Sequence, residues 1–290
     1  MSRRFVLVGH PVAHSLSPAI HGAAYAELAV DARYELLDTP EEAAVARAVD
    51  AVRRGDIAGA NVTVPWKQVA LALADRADAS AADVGAANVL VRDAEGAVVA
   101  HNTDVPALAA ELAALSRSPR TALVLGAGGA ALAAVASARR LGAETRVSAR
   151  RFDATVAPSE WPNAAVLRRL GATLVAWPPA AMALDPADLV IQATSAGMSG
   201  AASGAASGAA VADVVPWSRL GPQAVAYDLV YNPSVTPFLE RASAAGVTAR
   251  GGLGMLVGQA ALAFELWLGL KAPRATMQRA AEVALAGRKP

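Results

Sequence analysis

The sequence predicts an α/β fold, and three observations carry that expectation. Short apolar runs alternate with longer stretches of helical periodicity along the whole chain. A glycine-rich turn, Gly126-Ala-Gly-Gly-Ala-Ala131, stands between one such run and one such stretch. Hydrophobic residues make up 54% and charged residues 18% of the 290 residues, a balance that excludes disorder and suffices for one large core or two smaller ones.

In order along the chain, Phe5–Val8, Tyr34–Leu37, Ala60–Val64 and Asn88–Val91 read as strands, with helices near 18–28 and 41–54 between them. Ser17-Pro18 reads as a helix start, with serine at the N-cap and proline pre-set for the first helical position. Asp93-Ala-Glu-Gly96, between Val89–Arg92 and Val98–His101, reads as a hairpin turn. The polar stretch Ser116–Arg120 reads as a connector to a second unit. There, Thr121–Leu125, Thr145–Ala149, 172–176, Leu189–Ala193 and Val225–Val230 read as strands, and 129–141 as a helix. A long apolar helix follows over Leu253–Leu270, and Pro273 opens another that runs to about Gly287. Ser199–Gly208, built of Ser, Gly and Ala alone, reads as a flexible surface loop. Strands separated by helices imply parallel pairing through crossovers, and the hairpin makes the first sheet mixed.

Composition excludes several functions. A formal net charge of +1 leaves no field to hold a polyanion, so no nucleic-acid partner is expected. With Cys 0 there is no disulfide framework, zinc finger, iron–sulfur cluster or thiol nucleophile, and four scattered histidines suggest no metal site. The apolar run Phe5–Val8 stops at Gly9-His-Pro11, too short for the core of a signal peptide. The longest charge-free stretch, Leu189–Ala212, is interrupted by Gln, Thr, Ser and Gly, so it does not read as a membrane span. The expectation is a soluble cytoplasmic protein, a monomer or homodimer, with a small-molecule partner and no membrane partner.

The glycine turn matches G-x-G-x-x-G/A. Its first glycine permits the tight turn, its second lets a pyrophosphate approach the backbone, and a small third residue lets helix and strand pack closely. The helix that follows offers free N–H groups and a partial positive charge to phosphates. The plainer alternative is an ordinary glycine-rich turn. Candidate cofactor residues here are Gly126, Ala127, Gly128, Gly129 and Ala130. At the end of the next strand, where a free ribose hydroxyl wants an acid, stand Ala149, Arg150 and Arg151. Two arginines suit a 2′-phosphate, so the cofactor reads as NADP, unless the pair is merely solvated surface charge.

The first half places polar groups near strand ends: Ser15 and Ser17, then Asn61, Thr63 and Lys67, then Asn88, then Asn102-Thr-Asp104. Ligands of α/β sheets bind at the carboxyl ends of strands, so this set suits one polyhydroxylated molecule. Each residue alone reads equally well as turn or cap chemistry, and Asp104 before Pro106 makes a reasonable N-cap. Lys67 stands alone before Lys271 and Lys289 in a chain that otherwise uses arginine. A lysine ammonium both polarises a carbonyl and donates a proton, and an adjacent Asp104 would orient it.

On these motifs the chain resembles the shikimate dehydrogenase family, from Gly9 to Gly269. Gly9-His-Pro-Val-Ala-His-Ser15-Leu-Ser17-Pro with His21, Asn61-Val-Thr63-Val-Pro-Trp-Lys67 and Asn102-Thr-Asp104 are similar to its substrate, lysine and aspartate motifs. Gly126–Ala130, Ala193-Thr-Ser-Ala-Gly-Met198, Asp228-Leu-Val-Tyr231-Asn-Pro and Gly252-Leu-Gly-Met255-Leu-Val-Gly-Gln259 follow in the family's order. The resemblance implies NADPH-dependent reduction of 3-dehydroshikimate to shikimate. It implies Ser15 and Ser17, with Tyr231 nearby, at the substrate carboxylate. It gives Asn61, Thr63, Asn88, Asp104 and Gln259 to ring hydroxyls, and makes Lys67 and Asp104 the catalytic pair. Thr194, Leu229, Gly252 and Met255 would lie near the cofactor. Dehydrogenases of quinate or aminoshikimate, another NADP-dependent dehydrogenase of like layout and a non-catalytic NADP sensor are the alternatives. The chain departs from the family pattern at Gly22, Ala107, Ala149, Ala154 and Gln192, the last standing where Asn is usual.

The expected organisation is therefore a substrate domain over 1–104 with a mixed sheet, a Rossmann-like NADP domain over 105–250, and helices over 251–290 that return to the first.

Overall fold

The computed structural model describes residues 2–115, 118–179, 187–199 and 204–287, with the backbone alone for 204–207. The chain forms two compact units, one taking it up to Ala107 and again from Leu256, the other taking Leu108–Met255. Ser116 and Arg117 of the expected connector lie outside the described residues. Ser118–Arg120 falls within the second unit, and both boundaries between units fall inside helices.

The first unit opens with β1 (Arg3–Gly9), α1 (Ser17–Glu27), β2 (Ala32–Asp38), α2 (Glu42–Arg54) and β3 (Gly59–Val62). Then come α3 (Lys67–Leu73), β4 (Arg76–Ala77), α4 (Ala79–Val84), β5 (Val89–Arg92), β6 (Val98–His101) and the start of α5 (Asp104–Leu115). Its sheet has the order β2-β1-β3-β5-β6-β4. It is mixed: β1 runs parallel to β2 and β3, whereas β5 is antiparallel to both β3 and β6. Asp93–Gly96 makes the hairpin between β5 and β6 as its sequence predicts.

Alternation along β1 sorts its side chains to two faces. Val6 and Val8 pack with Val45, Val49 and Val52 of α2 and with Leu90. Phe5 belongs to an aromatic group with Tyr25 and Trp267. Trp267 comes from the end of α10 (Leu253–Leu268), and its Nε1 donates to Leu90 O at 3.1 Å. A Cβ on Gly59 would stand 2.4 Å from that indole nitrogen, so only glycine lets the ring lie on the sheet. The last helix, α11 (Arg274–Ala286), packs on α1, and the chain's end thus returns to the first unit.

The second unit contains β7 (Thr121–Leu125), α6 (Gly129–Arg140), β8 (Glu144–Ser148), α7 (Ala164–Arg169) and β9 (Ala172–Val175). It continues with β10 (Leu189–Gln192), α8 (Gly204–Ala212), β11 (Val225–Asp228), α9 (Pro237–Ala244) and β12 (Thr248–Gly251). All its strand pairs are parallel, in the order β12-β11-β10-β7-β8-β9. Numbered within the unit this is the doubly wound order 3-2-1-4-5-6 of dinucleotide-binding folds, read from its other edge. Leu123, Leu125, Val190 and Ala226 of the sheet bury one face against Val211, Phe238 and Leu239.

Two expectations need correction. The low-complexity stretch is not all loop, for its residues from Gly204 onward open α8 (200–203 lie outside the described residues). Alanine is the strongest helix former, and glycine at 208 permits close approach, since its Cβ would stand 2.9 Å from Gly197 Cα. Ser17 is not the N-cap of α1 but its first residue, with Leu16 at the cap.

Candidate active site

Topology brings four chain segments to one edge of the first sheet. Residues after the parallel strands β1 and β3 emerge on the same side. Because β5 is antiparallel to β3 and β6 to β5, Val89 pairs with Asn61 on one side and with His101 on the other. The end of β3, the start of β5 and the end of β6 therefore meet. Asn61, Asn88, Thr103 and Asp104 come together there, all buried.

Lys67 opens α3, and its Nζ lies 2.5 Å from Asp104 Oδ2, with the two side chains 14% and 6% exposed. This is a charge-assisted hydrogen bond largely removed from water. Asp104 Oδ1 accepts from Asn88 Nδ2 at 2.9 Å, and Asn88 Oδ1 accepts from the Thr103 N–H at 2.7 Å. Gln259, on α10, brings its Oε1 to 3.4 Å from Asn88 Nδ2, while its own Nε2 donates to Leu256 O. Asp104 is not spent on capping α5. Asn102 Oδ1 takes the Val105 N–H there, which leaves the aspartate carboxylate to Lys67 and Asn88.

Ser15 Oγ accepts the Ser17 N–H and donates to Ser17 Oγ, both at 3.1 Å. The Tyr34 hydroxyl donates to Asn61 Oδ1 at 2.7 Å, and Asn61 Nδ2 donates to Asn88 O at 3.2 Å. Thr63, half-buried just past β3, donates its N–H to Val8 O. The wholly buried His21 ring stacks on Tyr34 with centroids 4.3 Å apart and planes 3° from parallel. Burial pushes its pKa down to about 3, so it is neutral packing material rather than an acid or base.

In the second unit, the turns after parallel strands gather the cofactor candidates at one end of the sheet. Gly126 follows β7 with φ +126°, and a Cβ there would lie 2.8 Å from Ala193 O. Gly128 caps α6 with nothing within 4 Å of its Cβ position, leaving open space over the helix N-terminus that Gly129 and Ala130 begin. Ala127 O accepts from Asn163 Nδ2 at 2.7 Å. After β8, Phe152 N–H bonds Ala149 O, so Arg150 and Arg151 form the exposed corner of a tight turn. Neither arginine has an ion-pair partner among the described residues. Asp153, beyond Phe152, turns its Oδ1 to the N–H and the hydroxyl of Thr155.

After β10, Gln192 Oε1 accepts from the N–H and the hydroxyl of Thr194, and its Nε2 donates to Ala196 O. After β11, Leu229 donates its N–H to Gln192 O, and Tyr231 follows, half-buried. Gly252, after β12, donates to Val230 O, and Met255 lies in the first turns of α10. The wholly buried Asp228 takes the Thr236 hydroxyl at 2.5 Å and the Val230 N–H at 2.9 Å.

The edge of the first sheet thus joins Lys67, Asp104, Asn88, Asn61 and Gln259 in one hydrogen-bonded set, while Ser15 and Ser17, after β1, bond each other. Tyr231 and the cofactor candidates belong to the second unit. Sequence reasoning missed Tyr34, Gln192's bracing of the 193–196 turn and Asn163's hold on the glycine turn. Gln192 was visible only as an odd residue in a motif, and Tyr34 only as part of a strand. Asn163 gave no signal.

The family model described as the shikimate dehydrogenase substrate binding domain matches residues 7–90, and that of the shikimate 5'-dehydrogenase C-terminal domain matches residues 252–282. A shikimate dehydrogenase (NADP(+)) from Geobacter sulfurreducens is 36% identical over 292 residues, covering 96% of each chain. The crystal structure of a shikimate 5-dehydrogenase from Thermus thermophilus, in complex with NADP(H) and shikimate, is 35% identical. It superimposes with a TM-score of 0.79 over 98% of this chain and 100% of that one. A quinate dehydrogenase from Corynebacterium glutamicum in complex with NAD has a TM-score of 0.81 at 26% identity, over 97% and 99% of the two chains.

Proposed function

The chain belongs to the shikimate dehydrogenase family, and from that premise we propose that it catalyses the NADPH-dependent, reversible reduction of 3-dehydroshikimate to shikimate, a step towards the aromatic amino acids. The observation that carries this reading is the 2.5 Å contact of Lys67 with Asp104 on the edge that also bears the serine pair and the buried amides.

In this reading Ser15 and Ser17 give hydroxyl donors to the substrate carboxylate, with Tyr231 adding its phenol. Asn61, Thr63, Asn88, Asp104 and Gln259 hold the ring hydroxyls. Lys67 polarises the ketone and delivers a proton to its oxygen, and Asp104 aims the ammonium while Asn88 keeps the carboxylate from turning. The fit of the nicotinamide cofactor rests on the open cradle above Gly128, on Gly126, which any side chain would obstruct, and on Arg150 and Arg151, which have no ion-pair partner among the described residues. Gly126, Ala127, Gly128, Gly129 and Ala130 would hold its pyrophosphate at the N-terminus of α6, with Ala149 and the two arginines at the 2′-phosphate. Thr194, Leu229, Gly252 and Met255 would lie along it. Bound there, NADPH supplies the hydride.

The reading also takes the protein as a cytoplasmic monomer or homodimer that acts on small molecules, without nucleic-acid or membrane partners. The net charge of +1, which leaves no field to hold a polyanion, supports the lack of a nucleic-acid partner. Absorbance at 340 nm tests the function, with shikimate, quinate and aminoshikimate each offered with NADP and with NAD. Shikimate with NADP should give by far the highest kcat/KM. Equal or better turnover of quinate would reassign the substrate.

A further inference from the structure

One buried hydroxyl feeds the ring-hydroxyl end of the substrate edge. The bonds run from the Tyr34 hydroxyl to Asn61 Oδ1 and from Asn61 Nδ2 to the Asn88 carbonyl. The Asn88 amide then reaches Asp104, and Asp104 reaches Lys67. Every other group in the chain sits beside the substrate edge on its own account. Tyr34 alone comes from β2, behind that edge, and its ring is clamped by the parallel His21 ring and by Trp267 at 6.4 Å. Burial also holds the phenol well above its ordinary pKa, so it remains a donor at any working pH.

An asparagine amide is nearly symmetric in shape, and only its partners decide which end is oxygen. At Asn61 the Asn88 carbonyl can accept only from Nδ2, which turns Oδ1 towards the Tyr34 hydroxyl, and that hydroxyl donates to it. Together they fix the amide with Nδ2 towards β5.

We propose that Tyr34 is a positioning residue for the substrate: its buried hydroxyl holds Asn61 in place at the ring-hydroxyl end of the substrate site. The inference rests on the assignment of Asn61 to the substrate. It predicts a distinctive pattern, because Tyr34 has no role towards the cofactor.

The test is Tyr34→Phe, which keeps the ring stack and removes one oxygen. The KM for shikimate should rise about tenfold, with the KM for NADP within twofold of the wild type and a thermal melt that shows a folded protein. An unchanged KM for shikimate, or equal rises for both ligands, overturns the proposal. A double-mutant cycle with Asn61→Leu provides the second arm, and it also removes the amide oxygen that Tyr34→Phe leaves without its donor. If Tyr34 acts through Asn61, adding Tyr34→Phe to Asn61→Leu should raise the shikimate KM by less than threefold more. A further tenfold rise in the double variant overturns it as well. A wild type that does not turn over shikimate at all would sink the functional reading instead, which keeps the two failures apart.

Discussion

The Lys67 ammonium is held at 2.5 Å by one oxygen of Asp104, while the other oxygen of that carboxylate is held at 2.9 Å by Asn88. The aspartate is thus tied at both ends, and the lysine inherits its direction. Lys67→Ala should lower kcat by about 10²–10⁴, the usual span for a positioned general acid or base. The KM for shikimate should move far less, since carboxylate binding is assigned to Ser15 and Ser17. Steady-state kinetics decide this, and a near-normal kcat would remove the lysine from the mechanism.

Asp104→Ala should do damage of a different kind. It leaves the Lys67 ammonium and one Asn88 donor without their partner, in a place that is mostly dry. Both kcat and the KM for shikimate should suffer, because the residue is assigned to binding as well as to aiming the lysine. A variant with a normal KM would limit Asp104 to the proton-transfer step.

Arg150 and Arg151 stand at the corner of a turn, and one oxygen of the nearby Asp153 carboxylate is engaged by Thr155. A charge-assisted contact contributes roughly 1.5–3 kcal/mol, so NADP should be preferred over NAD by at least about tenfold. Ala154, where the family often has another arginine, should keep the preference below what a second contact would give. Arg150→Ala should raise the KM for NADP and leave that for NAD nearly unchanged. Equal losses with both cofactors would mark Arg150 as surface charge only.

Asp228 predicts a pH effect on stability. Desolvation pushes its pKa up to about 7, against the Thr236 hydroxyl and the Val230 N–H, which favour the charged form. A carboxyl raised in the folded state binds its proton more tightly there than in the unfolded chain. Its contribution is full below about 3.8 and is lost as pH rises through about 7. At about 1.4 kcal/mol per unit, the loss across that window is on the order of 4 kcal/mol. Asp228→Asn removes the titration, so thermal melts should fall more steeply between pH 5 and pH 8 for the wild type than for the variant. Parallel curves would place the titration elsewhere.

Much of this was legible in the sequence where local pattern and tertiary need agree. The strand at Thr121–Leu125, the hairpin at Asp93–Gly96 and the last two helices all follow from periodicity and turn residues. The polar set at the edge of the first sheet was legible as well, because Asn, Thr, Asp and Lys at strand ends stand out in an apolar chain. What stayed hidden depends on contacts distant in sequence. β12, Thr248–Gly251, alternates exposed with half-buried positions and carries only four residues, so nothing local separates it from a loop. Ser17 looked like a cap because capping and substrate binding favour the same residue type. Tyr34 was invisible as a site residue, since its role depends on Asn61, 27 positions away, reaching the neighbouring hydroxyl.

Trp267 and Gln259 have a consequence for how the protein is made. One covers the first sheet at Gly59 and the other reaches Asn88, yet both leave the ribosome after the whole of Leu108–Met255. The second unit is continuous in the chain and is fully synthesised before the first has its last pieces. At about 5–20 residues per second, the nascent sheet of the first unit waits on the order of ten seconds with one apolar face uncovered. The order of birth along the chain is therefore the reverse of the order of completion.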